Sequence, residues 1–332
     1  MISKRFAMTL LLLSAGVGSA DDDRDASLFE IQGSVDFEYS RDRVDFDSPA
    51  PSASFSDSLL TVQLELDGAV DSGTGAHLLI ELQSEEDEES AIDEAFVYVE
   101  FDRWQVVAGR QYLPFGRFDS LFGTDSFTEF AEIRATALLA QWKFSPLWRI
   151  DTFVLDGKID TRGKPDADFG LGVERSARDE SWSVGFGYIG DLAEARDSIL
   201  DRDIRVTARR VAGWNLHASA TLGDVGLLLE TMTALGRFAE LDADFDRPSA
   251  ATVELTHFLS RRLSYAVRVE SSRELEDAPR RRYGVSLQWQ PLDQFGIGAD
   301  FLIGRFGPGR SIDEDDDVNR TRQFFIEFSL DF

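Results

Sequence analysis

Residues 321–332 read TRQFFIEFSLDF, and they carry a period of two. Phe324, Ile326, Phe328, Leu330 and Phe332 alternate with Gln323, Phe325, Glu327, Ser329 and Asp331, so Phe325 is the one apolar residue out of step. Successive side chains of a strand point to opposite faces, which makes this a strand with one oily and one wet side. In a soluble sheet the oily side meets a protein core; in a membrane it meets lipid. The remainder of the chain decides between them.

The same alternation recurs upstream. LFEIQGSVDFEY (28–39) sets Phe29, Ile31, Val35, Phe37 and Tyr39 against Glu30, Gln32, Ser34, Asp36 and Glu38. LLTVQLELDGAV (59–70), SWSVGFGY (181–188), LSYAVRVE (263–270) and YGVSLQW (283–289) repeat it. Proline falls between these runs rather than inside them, as strands require, and no helical period is evident after the first twenty residues. Sixteen strands are expected, near 28–39, 58–70, 76–83, 92–101, 104–111, 135–144, 148–156, 168–175, 181–189, 214–222, 226–235, 250–259, 263–272, 281–290, 295–304 and 321–332.

The connections are of two kinds. Those near 71–75, 101–104, 145–148, 174–181, 223–226, 260–262 and 291–294 are short. Those at 40–57, 84–91, 111–134, 157–167, 189–213, 236–249, 273–281 and 305–320 are long and charged. The two kinds alternate, as in a meander whose ends face different surroundings. An even count puts both termini on the short-turn side, so the alternating stretch DIRVTARRVA (203–212) is read as loop.

Composition narrows the class further. Lys4 and Arg5, the apolar MTLLLLSAGVG (8–18) and the small Gly18-Ser19-Ala20 form an expected export signal, residues 1–20, leaving 21–332 as one domain. The formal charge of −27 becomes −29 without Lys4 and Arg5, from 61 acids against 32 bases. Such a surface repels nucleic acid. There is no cysteine, so stability must come from packing and hydrogen bonding. No other run approaches the ~18 apolar residues of a membrane-spanning helix.

Trp104, Trp142, Trp148, Trp182, Trp214, Trp289, Tyr39, Tyr188, Tyr265 and Tyr283 sit at expected strand ends, where a bilayer interface suits a ring with a polar atom. A β-sandwich would have to fill its core with Glu, Gln, Ser and Arg from the wet faces. Closure into an antiparallel up-and-down transmembrane β-barrel removes the free edges and gives those residues an aqueous lumen. The expected place is a bacterial outer membrane, with lipid and lipopolysaccharide as surroundings and a homo-oligomer compatible with the fold.

One stretch adds a resemblance. GRQYLPFG (109–116) followed by TEFAEIRATALL (128–139) resembles the LbtU-type siderophore porin family, with DEAFVYVEF (93–101), GYIGDLAEA (187–195) and LGDVGLLLETM (222–232) in support. Phosphate-selective porins carry a similar Gly-Arg-x-x-x-Pro-Phe-Gly signal. The resemblance implies a passive channel for a ferric siderophore; the alternative is an anion-selective, phosphate or general diffusion porin. A barrel of sixteen strands is also short of the 22 found in energy-coupled transporters.

Segment 111–134 is too long for a turn and too apolar for a solvated loop, holding Phe115, Phe118, Leu121, Phe122, Phe127 and Phe130. It is expected to fold inward and narrow the pore, with Pro114 fixing the backbone and Gly116 allowing a bend. Arg110, Tyr112, Phe115, Arg117, Glu132 and Arg134 accompany it as candidate pore-lining or solute-contacting residues. Arg205, Arg209 and Arg210 of loop 189–213, and Arg268 and Arg282 on wet strand faces, complete the set, since guanidinium forks suit anionic solutes. Each arginine has an alternative use in pairing with a neighbouring carboxylate. The acidic runs EEDEE (85–89) and DEDDD (313–317) are solvated loops or calcium sites, without EF-hand spacing. His77, His217 and His257 belong to no nucleophile motif, and no catalytic, cofactor or metal-binding motif is found.

Overall fold

The computed structural model describes residues 29–46, 52–84, 92–160, 165–195, 206–207, 209–275, 278–307, 311–313 and 316–332. The expected export signal and Arg205 lie outside them, as does the run 85–89. The strands are β1 (Phe29–Phe46), β2 (Ala53–Asp71), β3 (Thr74–Gln83), β4 (Ile92–Phe101), β5 (Trp104–Tyr112) and β6 (Arg134–Ser145). Next come β7 (Trp148–Asp160), β8 (Pro165–Ser176), β9 (Trp182–Ile189), β10 (Val206–Thr207), β11 (Gly213–Leu222) and β12 (Val225–Ala234). The chain ends with β13 (Ser249–Ser260), β14 (Leu263–Arg273), β15 (Arg281–Leu292), β16 (Phe295–Arg305), β17 (Ser311–Asp313) and β18 (Asp316–Asp331).

Sixteen of these make one closed antiparallel barrel. Each pairs with the next along the chain, and β18 returns to pair with β1. The other two, β10 and β17, are fragments beside the wall: Val206 and Thr207 run parallel to Ile159 and Asp160, and β17 folds back on the start of β18. The expected count therefore holds, and the described residues of 203–212 supply no spanning strand. The first loop is a correction. Instead of a connection over 40–57, β1 and β2 continue as a hairpin with Val44 opposite Ala53, leaving 47–52 between them. At 18 and 19 residues these strands exceed the ~9–11 that a tilted strand needs to cross a bilayer, so the hairpin stands above the membrane.

Burial runs opposite to that of a soluble protein. In β14, Tyr265, Val267 and Val269 are exposed while Ser264, Arg268, Glu270 and Ser272 are buried. The oily faces point outward around the ring. At the short-turn end exposed Trp104 and Trp142 stack with ring centroids 5.4 Å apart, and Arg175 lies over Trp148 and Trp182. Trp182, Tyr265 and Trp289 join this belt; Tyr188, Trp214 and Tyr283 mark the other rim. Tyr39 falls in mid-strand because β1 is longer than expected.

The terminal strand finds its place in the seam. Gly33 and Phe332 exchange both backbone hydrogen bonds at 2.9 Å. The Phe332 ring covers Gly33, where a Cβ would lie 2.6 Å from it. Phe324, Phe328, Leu330 and Phe332 are exposed on the outside, whereas Phe325 points inward and is buried.

A second correction concerns the inside, expected to be polar throughout. Val107, Ala137, Leu139, Phe153, Leu155 and Met232 occupy inward positions and form an apolar cluster with residues of segment 113–133. These strands carry apolar side chains on both faces because the outer one meets lipid and the inner one meets the inserted loop.

Candidate functional site

The segment between β5 and β6 leaves the wall through a closed neck, where the Leu113 N–H donates to the Ile133 carbonyl at 2.9 Å. It then enters the barrel. Phe115 is fully buried and Phe122 nearly so, with Phe127, Phe130 and Ile133 also buried. Gly116 has a φ of 104°, and a Cβ there would come within 2.3 Å of Met232 and 2.4 Å of Phe118. The turn thus needs glycine for both its backbone and its space. Gly284 on β15 makes room on the wall side: a Cβ would lie 2.7 Å from the Phe122 ring.

An inserted loop has no strand to satisfy its amides, and a buried amide without a partner is costly. Wall carboxylates supply the acceptors. Glu230 on β12 accepts from the Arg117 N–H at 2.8 Å, the Phe118 N–H at 3.3 Å and the Thr128 hydroxyl at 3.1 Å. On β13, Glu254 accepts from the Leu121 N–H at 2.8 Å and the Ser120 hydroxyl at 2.5 Å. The Phe127 N–H reaches Glu270 on β14 at 2.8 Å, and the Thr124 N–H reaches Asp300 on β16 at 3.1 Å. A short 3₁₀ turn, Phe127–Ala131, closes on a capping box between Ser126 and Glu129.

The loop's carbonyls are met from the same wall. Arg268 donates to the carbonyls of Thr124 at 3.0 Å and Asp125 at 3.2 Å, and to the hydroxyls of Ser120 and Thr124 at 3.1 Å each. Its guanidinium carbon lies 4.2 Å from the Phe122 ring centroid, and its Nε is 3.2 Å from Glu270. Arg282 bonds Glu270 at 2.5 Å and the Asp125 carbonyl, and covers the Phe127 ring at 4.3 Å. Gln288 donates to the Leu121 carbonyl at 2.9 Å. Where the loop passes β18, Gly123 sits so close to Phe325 that a Cβ would be 2.4 Å from its ring. The out-of-step phenylalanine of the terminal strand is a loop contact.

The candidate residues therefore separate into groups. Pro114, Phe115, Gly116 and Arg117 are in the inserted segment, and Arg117 bonds Asp119 and the Ser183 hydroxyl inside the barrel. Arg268 and Arg282 face inward, but their donors go to the loop and to Glu270. Glu132 donates its N–H to the Glu129 carbonyl at the loop's exit. Arg110, Tyr112 and Arg134 do not share that interior. Register sets Arg110 beside Thr136 and Ala95, and Tyr112 beside Arg134, on the outward face continued by exposed Leu138 and Val97. There Arg134 pairs with Asp93 and lies over the Tyr112 ring. Loop residues Arg209 and Arg210 bond the carbonyls of Arg237 and Ala167. Sequence reading overlooked the acids that fasten the loop, Glu230, Glu254, Glu270 and Asp300. Their inward strand positions were legible; their partners, over a hundred residues away, were not.

The remaining wall is acidic. Asp36, Glu38 and Asp42 of β1, Glu65 and Asp67 of β2, and Glu81 of β3 occupy inward positions. Among the described residues these three strands place no arginine or lysine on that face, and His77 is its one basic group. On another part of the wall Arg149 bonds Asp151 at 2.9 Å and lies 3.6 Å from Glu174, which is 3.5 Å from His217.

A family model described as Gram-negative porin matches residues 7–321. Among solved structures, the outer-membrane channel DcaP of Acinetobacter baumannii matches with a TM-score of 0.60 at 11% identity, over 91% of this chain and 97% of that one. The anion-selective porin from Comamonas acidovorans gives 0.63 at 10% identity, covering 92% and 99%. Salmonella typhi OmpF in complex with daunomycin gives 0.61 at 10%, covering 92% and 97%. At such identities the likeness is one of fold. No curated protein sequence matches. A closed sixteen-strand barrel with its oily face outward, an inserted loop and a family match over nearly the whole length agree: the chain belongs to the Gram-negative porin family, the outer-membrane diffusion channels.

Proposed function

We propose that this chain is a passive porin, narrowed by segment 113–133, that admits small hydrophilic solutes and favours cations over anions. The acidic inner face of β1–β3 carries this reading, because carboxylates lining a pore select for cations through their field. Of the arginines that suggested an anionic solute, Arg268 and Arg282 hold the loop; Arg149, a wall residue outside that set, lies between Asp151 and Glu174. A ferric siderophore of polycarboxylate type would meet like charge on that wall. The siderophore reading rests on the sequence resemblance alone, carried by 109–116 and 128–139 with 93–101, 187–195 and 222–232 in support.

Planar bilayers separating unequal KCl solutions test the proposal. A reversal potential of the sign for cation preference is expected, smaller at high salt as screening shortens the reach of the wall carboxylates. A reversal potential that follows the chloride gradient would refute it. Uptake of labelled ferric siderophore by iron-limited cells, with and without the protein, tests the narrower alternative directly.

A further inference from the structure

The inner wall near the short-turn end carries a group of side chains that the channel function does not require. Asp67 on β2 is opposite His77 on β3, which is opposite Phe96 on β4, four residues from the 71–74 turn. The His77 Nδ1 lies 3.0 Å from an Asp67 carboxylate oxygen and 3.7 Å from one of Glu65. On its other side, Nε2 is buried without a hydrogen-bond partner, 3.6 Å from a Glu94 carboxylate oxygen. The ring is stacked on Phe96, centroids 4.7 Å apart and 20° from parallel.

We propose that Glu65, Asp67 and His77 form a binding site for a divalent transition cation of the zinc class, open to lumen water. One donor atom from each of the three lies within 4.8 Å of the others. A zinc ion bonded tetrahedrally at about 2.0–2.2 Å to nitrogen and oxygen donors separates them by roughly 3.3–3.6 Å. The observed 3.0 and 3.7 Å need only small side-chain movements to meet that. Three protein donors and a water complete a tetrahedral shell. The two carboxylates balance the charge of the ion, and an imidazole nitrogen favours zinc or copper over calcium or magnesium.

The surroundings are those of a metal-binding histidine. Ligation through Nδ1 leaves the ring proton on Nε2, directed at Glu94, in the arrangement by which a carboxylate orients a ligating imidazole. Glu94 is itself held, accepting from the Tyr112 N–H at 3.1 Å. Phe96 fixes the plane of the ring. The His77 side chain is 11% exposed, whereas those of Glu65 and Asp67 are 30% and 42% exposed, so the ion would enter from the water side. The donors come from two strands, which is why no motif announces them.

The test uses the full barrel, without a histidine tag, in detergent, with Zn²⁺ as probe and excess Ca²⁺ to occupy the all-oxygen sites of acidic loops. One Zn²⁺ per chain is expected to remain bound. His77→Gln and Asp67→Asn should weaken that binding at least about tenfold, Glu94→Gln by about tenfold as in other second-layer changes, and Glu81→Gln not at all. With Cu²⁺, electron paramagnetic resonance should show nitrogen coupling that persists in His217→Gln and His257→Gln and disappears in His77→Gln. Heat-modifiable gel mobility confirms that each variant is folded. Zn²⁺ binding by His77→Gln as tight as by the wild type, or nitrogen coupling that survives in it, would overturn the proposal.

Discussion

Replacing Arg268 by methionine tests how the inserted loop is held. Methionine keeps much of the length and the contact with Phe122 but removes the four hydrogen bonds to Ser120, Thr124 and Asp125. It also leaves Glu270 with Arg282 as its remaining cation. Breaking a buried ion pair from one side costs about 3–5 kcal/mol, and charged hydrogen bonds about 1.5–3 kcal/mol each without simple additivity. Taking ~3–5 kcal/mol as the cost to the docked loop, its docked-to-undocked ratio falls roughly 10²- to 10³·⁵-fold. The barrel ladder does not depend on this side chain, so the cost should be local. Hydrogen exchange reads it directly: the amides of Leu121, Thr124 and Phe127 should lose protection by about that factor while those of the β1–β18 seam keep theirs. Single-channel conductance should rise in step. The exposed Arg273→Met is the control. Unchanged exchange at all three amides would refute the assignment of Arg268 as the loop's principal anchor.

Deleting 118–130 should raise conductance above that of Arg268→Met, since it removes the insert rather than loosening it; equal or lower conductance in bilayers would show that the segment does not narrow the passage. Gly284→Leu should displace Phe122 and cost about 1–3 kcal/mol as overpacking, visible as a lower urea midpoint and faster exchange in the loop. Removing Phe332 deletes the hydrogen bonds to Gly33 and about 1–3 kcal/mol, measurable as a lower midpoint for loss of heat-modifiable mobility. In the 190–212 region burial raises the Asp191 carboxyl above its ordinary range, although it accepts from the Ala193 and Val211 N–H groups. The folded state then holds that proton more tightly than the unfolded one. The wild type should therefore gain thermal stability relative to Asp191→Asn as pH falls from neutrality through the raised value, and a relative loss would contradict this.

Legibility in the sequence followed the range of the interaction. Alternation is local, so β14 and β15 were readable residue by residue, and the short and long connections gave the count of sixteen. The hairpin of β1 and β2 was missed because 40–57 is rich in charge, and charge above the bilayer is compatible with strand as well as loop. Segment 111–134 could be expected to turn inward because six large apolar residues have no place in a solvated loop. Its anchors were hidden. Glu230 and Arg268 each act more than a hundred residues from their partners, and nothing local separates a wall arginine facing water from one bonded to a carbonyl. Arg110 and Arg134 looked like pore residues through their nearness to the loop in sequence, yet strand parity carries them to the opposite face.

The join between the first and last strands of the barrel has a bearing on biogenesis. Gly33 and Phe332 clasp one another, and β18 pairs with β1 from Ser34 to Phe46, so the ring cannot close until β18 has been made and exported. A product lacking β18 would keep two open borders, each offering unsatisfied amides to a neighbour. The cell thereby gains a simple discrimination between copies that carry β18 and copies that lack it, because only the former can hide both borders at once.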